Sequence, residues 1–222
     1  MKDQTIQGYL LYKAQFMWLV VIAVLIIVAL LFLRNRKQAT TKKNEKLNLA
    51  YFAFIISYAV TRIFFFIGDY YGEYQALDDS FMFIFSMKMA YISSSIGLFV
   101  TLFIFEHEFI PSKYIFSIIN VICAILFIIL PYDLMRIVMY IFQVFVFIEI
   151  LSVYLYLAIK GFGELKKRAI YTVLALILFF IGVILDTRMI SDLNLIPGYI
   201  APGLVIIGVF IFYRLQSFTT SE

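Results

Sequence analysis

The chain has 222 residues, of which 64% are hydrophobic and 14% charged, and its formal net charge is +4. Soluble domains carry roughly 45–50% apolar and about 25% charged residues, so lipid must solvate much of this surface. The excess lies in 25 Phe and 16 Tyr, which excludes a disordered, collagen-like or disulfide-stapled chain, and the single Cys123 can form no internal disulfide.

A helix needs about 20 apolar residues to cross roughly 30 Å of hydrocarbon. Seven runs of that kind follow in chain order, at approximately 16–33, 48–67, 81–105, 114–130, 137–159, 169–186 and 196–213. Short polar segments separate them, among them RNRKQATTKKNEK, DYYGEYQALDDS, EHEFIPSKY and KGFGELKKR. None is long enough to fold separately. The expected fold is all-α, a single transmembrane domain over residues 1–222 built as a bundle of seven helices.

Basic residues set the expected orientation. Alternate polar segments hold Arg34, Arg36, Lys37, Lys42, Lys43, Lys46, Lys113, Lys160, Lys166, Lys167, Arg168 and Arg214, against Lys2, Lys13, Arg136 and Arg188 on the other side. The positive-inside bias places the N-terminus outside and the C-terminus in the cytoplasm. Asp69, Glu73, Asp78 and Asp79 then fall in an outer loop. The first span reads as an anchor rather than a signal peptide, since its apolar run is long and the strong positive cluster follows it. The positive charge serves orientation and contact with anionic lipid; nucleic acid is not an expected partner.

Charged side chains within spans are costly in hydrocarbon, so each calls for a reason. Arg62 lies in the second run and Lys88 in the third, about 7–10 Å from the expected outer interface at 1.5 Å per residue. Both can snorkel, yet Tyr58, Arg62 and Asp69 share one helical face, and Lys88, Tyr91 and Ser95 share another. Together they suggest an electropositive outer pocket, with Asp69 and Asp186 as counter-ions. Glu149 is too short and too central to snorkel. It needs a partner, a proton or water, and Ser152 and Tyr156 lie on its face.

Other polar positions read as packing. Ser93, Ser94, Ser95, Gly97 and Thr101 give the third run a small-residue face, and Asn120 and Gln143 are expected to hydrogen-bond between helices. The IPGYIAPG stretch, with Pro197, Gly198, Pro202 and Gly203, is expected to interrupt regular helix near the outer surface. Tyr70, Tyr71 and Tyr74 outside, and Tyr51, Tyr114, Tyr171 and Tyr213 inside, read as interface belts. FFIG occurs at 65–68 and again at 179–182, a weak sign of internal duplication.

With the lone His107, set between Glu106 and Glu108, bis-histidine haem ligation and an HExxH zinc site are excluded, and the EHE segment is expected to solvate a helix end. No phosphate-loop, dinucleotide or nucleophile-elbow motif is present, so the reading leans away from an enzyme and implies no cofactor. Seven spans with an outside N-terminus is also the topology of rhodopsin-like proteins, but the last run lacks a lysine and the third ends FEHEF rather than in a D-R-Y-type sequence, so no family is assigned.

Two functional classes remain open, with a structural membrane subunit as a third. One is a plasma-membrane sensor or receptor-like module, whose outward polar pocket takes a small ligand or ion and whose cytoplasmic loops signal to a protein partner. The other is a small transporter or channel that uses Glu149 as a proton or cation site.

Overall fold

The computed structural model describes residues 6–11, 14–77, 80–108, 113–160, 163–186 and 197–217. Asp78, Asp79, Arg188 and the expected start of the last span at Ile196 lie outside them. The described residues form helices α1 (Ile6–Leu11), α2 (Phe16–Lys37), α3 (Lys42–Asp69), α4 (Phe81–Glu108), α5 (Ile115–Ile129), α6 (Tyr132–Lys160), α7 (Gly163–Leu185) and α8 (Ile200–Ser217). A π-turn, Tyr70–Tyr74, continues α3.

Five helices, α2, α3, α4, α6 and α8, are long and apolar enough to cross a membrane. The 15 residues of α5 and the apolar stretch Ala169–Leu185 of α7 are shorter. Outward-facing Ile27, Ile96, Ile122, Ile128, Ile141 and Phe210 are exposed on these helices, as lipid solvation requires. The chain is therefore built as a membrane protein.

Helix ends extend beyond the apolar runs because the flanking polar residues supply caps. Thr41, extended at φ −125°, accepts a hydrogen bond from the Asn44 amide at 3.2 Å and starts α3 well before its apolar stretch. Arg34, Arg36 and Lys37 lie in the last turn of α2, where cations complement the helix dipole. α5 ends at Leu130, which takes the extended conformation that the following Pro131 favours. The IPGYIAPG stretch does not interrupt a helix within the described residues: α8 begins at Ile200 and carries Pro202 in its first turn, where a missing N–H costs no helical bond.

The chain divides into two compact units, Met1–Tyr140 and Ile141–Glu222, with α6 beginning in one and ending in the other. In the first, α3 packs against α2 and α4, and α4 packs against α5. The α3–α4 seam is lined by small residues, as the sequence implies. The Thr101 and Thr61 hydroxyls donate to carbonyls one turn back on their own helices, those of Gly97 at 2.7 Å and Ser57 at 2.8 Å, and each also stands 3.2 Å from a carbonyl of the facing helix, Ala50 and Ala90 respectively. Gly97 faces Ser57 so closely that a Cβ there would overlap the serine side chain. Tyr51 is buried between Phe32 and Phe105 rather than standing in an interface belt.

In the second unit α7 and α8 pack through reciprocal glycines. Gly182 rests on the backbone of Ala201 and Gly208 on that of Ala175 and Phe179. A buried polar contact spans this hairpin: the Gln216 amide donates to the Thr172 hydroxyl at 2.9 Å.

Candidate functional site

The charged side chains of the first unit lie toward its two ends. At the end carrying Asp69, α3 buries Arg62 to 4% exposure. Its guanidinium lies 3.4 Å from the centroid of the Trp18 ring on α2 and 5.5 Å from that of Phe65. A cation stacked on indole, away from water, gains about 2 kcal/mol or more, which offsets part of its desolvation. Arg62 therefore does not snorkel; it is packed between helices. The aromatic line continues from Phe65 to Tyr91 on α4 (5.3 Å) and from Tyr91 to Phe127 on α5 (5.9 Å). Tyr58, one turn before Arg62, keeps its hydroxyl out of solvent.

Tyr91 lies within electrostatic reach of Asp69, Tyr132, Tyr140 and Arg136. Arg136, on the first turns of α6, sits 5.8 Å from the Tyr132 ring, one turn before Tyr140. The end of the unit thus collects Arg62, Arg136 and Asp69 among Trp18, Phe65, Tyr91, Tyr132 and Tyr140. Sequence reasoning placed Arg136 in a loop, and it missed Trp18 because one aromatic residue in a helix apolar all round gives no sign of its direction.

Lys88 plays a different part from the one expected. Its ammonium donates to the carbonyls of Leu130 (2.9 Å) and Ile128 (3.3 Å) at the end of α5, not to a carboxylate. Those last carbonyls lack amide donors of their own and form the negative end of the helix dipole. Asp69, the expected counter-ion within this unit, does not pair with Lys88 among the described residues. Ser95, on the same stripe of α4, is fully buried, and its hydroxyl has no hydrogen-bond partner among the described residues. Ser93, by contrast, bonds the carbonyl one turn back, that of Met89, at 2.7 Å.

The opposite end of the unit is closed by charge. Arg36 pairs with Glu45 at 3.0 Å, joining α2 to α3, and Lys46 pairs with Glu108 at 2.6 Å, joining α3 to α4. Glu106, 6% exposed, accepts from the amides of Phe116 and Ser117, each at 3.0 Å, and from the Ser117 hydroxyl. It therefore caps α5 from a neighbouring helix, where Lys113 and Tyr114, both at positive φ, turn the chain into that helix. The His107 Nδ1 lies 2.9 Å from the Tyr114 hydroxyl. The EHE segment does more than solvate a helix end: two of its three residues join helices. No cluster of metal-ligating side chains occurs among the described residues.

Glu149 and Asp186 belong to the second unit. Glu149 is 5% exposed near the middle of α6. Ser152 spends its hydroxyl on the Ile148 carbonyl, and Tyr156 is exposed, so neither shares its burial. Asp186 follows α7, its amide bonded to the Gly182 carbonyl. Asn120 donates to Phe116 of its own helix rather than between helices, and the Gln143 side chain lies outside the described residues.

Comparison with protein-family models, curated proteins and solved structures yields no match. The chemistry must be read from the side chains. A guanidinium flanked by indole and phenyl rings suits an anionic group attached to an apolar or aromatic body, since Arg recognises carboxylate and phosphate oxygens in a planar, directional way.

Proposed function

We propose that the chain is a seven-span plasma-membrane sensor, with its N-terminus and the Arg62 cluster outside and the charge-closed end in the cytoplasm. A small anionic amphiphile binds at the cluster, and a cytoplasmic or membrane protein partner reads the response. The carrying observation is the Arg62–Trp18 stack, a buried cation packed against an aromatic face at the end of the unit that collects the other polar aromatic side chains. The basic residues of 34–46 support the orientation. The short α5 supports the span count, because it begins beside Glu106 and ends beside Lys88, following α4 over most of its length. The close-packed, small-residue α3–α4 seam and the ion pairs at the far end favour a closed-ended pocket over a path through the unit.

Trp18 is the only tryptophan, so its emission reports on the cluster directly. In nanodiscs, decanoate is expected to change Trp18 emission saturably, and Arg62→Gln to weaken that response about tenfold, the equivalent of one lost charge-assisted hydrogen bond. Partition into lipid is common to both proteins and cancels. An equal response in the variant, or an equal response to decyltrimethylammonium, would sink the reading.

Glu149 supports a second reading, a small transporter or channel, because a carboxyl group buried in mid-helix is the kind of group that couples proton or cation movement. Proteoliposomes test it. That reading expects proton or cation flux which Glu149→Gln abolishes; flux that survives the substitution removes Glu149 from the mechanism.

A further inference from the structure

The π-turn that continues α3 holds a feature that the sensor reading does not use. Tyr9, on the six-residue α1, is 1% exposed although it lies in a short N-terminal segment. Its hydroxyl donates to the Phe66 carbonyl at 2.7 Å. Its ring meets Phe66 at 5.0 Å, Tyr70 at 5.2 Å and Tyr74 at 5.4 Å, the first two edge-on. Phe66, Tyr70 and Tyr74 are spaced four residues apart on one stripe, and the wider π-turn keeps the last two rings stacked, 6.0 Å between centroids.

We propose that Phe66, Tyr70 and Tyr74 form a phenol-binding socket and that Tyr9 is its built-in occupant. The ligand class follows from the contacts. The Phe66 carbonyl already receives the Tyr70 amide and offers its second lone pair to a hydroxyl. Three ring walls favour an aromatic body over an aliphatic one. A ring without a donor leaves the carbonyl unserved, and a donor without a ring forfeits the walls. A helix of six residues has no stability of its own, so the contacts of Tyr9 help to fix α1 in place. A small-molecule phenol competes with this tethered one, whose effective concentration is in the millimolar range for a short linker. The socket stands one turn beyond Arg62 on α3 and is independent of whether a ligand binds there.

Tyr9→Ala tests the proposal by chemical rescue, read as the thermal unfolding midpoint in nanodiscs. The variant is expected to unfold at lower temperature, and p-cresol to restore the midpoint saturably. Toluene and cyclohexanol, which carry the ring and the hydroxyl separately, are expected to bind about tenfold more weakly. The wild type, its socket filled, is expected to ignore p-cresol over the same range. Equal shifts in wild type and variant, equal rescue by toluene, or a Tyr9→Ala midpoint that does not fall would each overturn the proposal. Should Tyr9→Ala not fold, Tyr9→Phe retains the ring and removes only the donor. A Tyr9→Phe protein as stable as the wild type would show that the socket does not read a hydroxyl. Failure of decanoate binding at Arg62 would leave all these outcomes unchanged, so the two ideas fail separately.

Discussion

Glu106→Ala is expected to destabilise the first unit by about 3 kcal/mol, a fall in unfolding midpoint of roughly 6–12 °C for a chain of this size. The carboxylate accepts three hydrogen bonds at the start of α5, from two amides and one hydroxyl. Loss of an ordinary N-cap costs about 1 kcal/mol, and buried donors left without an acceptor add about 1–3 kcal/mol. Water cannot readily replace the lost acceptor, because Ser117 is almost completely buried. Glu106→Gln keeps one acceptor oxygen and is expected to lose about half as much. Glu108, two residues on, is the internal control. Its pair with Lys46 joins one partner 18% exposed to another 47% exposed, and exposed pairs contribute little, so Glu108→Ala is expected to leave the midpoint almost unmoved. Thermal unfolding of the three variants in one detergent decides the matter. Equal losses at Glu106 and Glu108 would mean that the EHE segment acts only through its net charge.

The contrast between these glutamates shows what was legible in the sequence and what was not. Positions of the long helices were readable because some 20 apolar residues in a row have few other uses. Their true ends were not, since Thr41, Glu106 and Pro131 terminate or cap helices by local and tertiary contacts outside the apolar runs. Arg62 announced itself as a cation among apolar residues. Trp18 did not, because the face it buries depends on where α3 lies. Lys88 was noticed for the right reason. Its charge needed a partner, but that partner is a pair of backbone carbonyls some 40 residues away, which side-chain patterns cannot reveal. Tyr9 was invisible for a related reason: a tyrosine in a polar-flanked tail resembles an interface residue until the socket that buries it is known.

The second large effect concerns glycines, and it separates two kinds of close approach. Gly97→Ala and Gly208→Ala each add one methyl group to a helix, a change that intrinsic propensity alone favours by about 1 kcal/mol. Both are nevertheless expected to destabilise, by about 1–3 kcal/mol or more, because the space is already occupied. At Gly97 the obstacle is the side chain of Ser57, and the nearest backbone atom, the Ala53 carbonyl oxygen, would stand at 3.2 Å. Ser57→Gly removes that obstacle. The double variant is therefore expected to be more stable than Gly97→Ala alone, with a coupling energy in the range of roughly 0.5–3 kcal/mol seen for residues in contact. At Gly208 the new methyl would meet the Ala175 carbonyl oxygen at 2.8 Å and the Phe179 amide nitrogen at 2.9 Å, both backbone. No side-chain truncation clears them, so Gly208→Ala is expected to force α7 and α8 apart and to strain the buried Thr172–Gln216 contact on the same hairpin. Phe179→Ala should give no relief. A double-mutant cycle for each pair, read by thermal unfolding, tests the argument. Rescue of Gly208→Ala by Phe179→Ala, or none of Gly97→Ala by Ser57→Gly, would show that the two seams are not held at the separations that make glycine necessary.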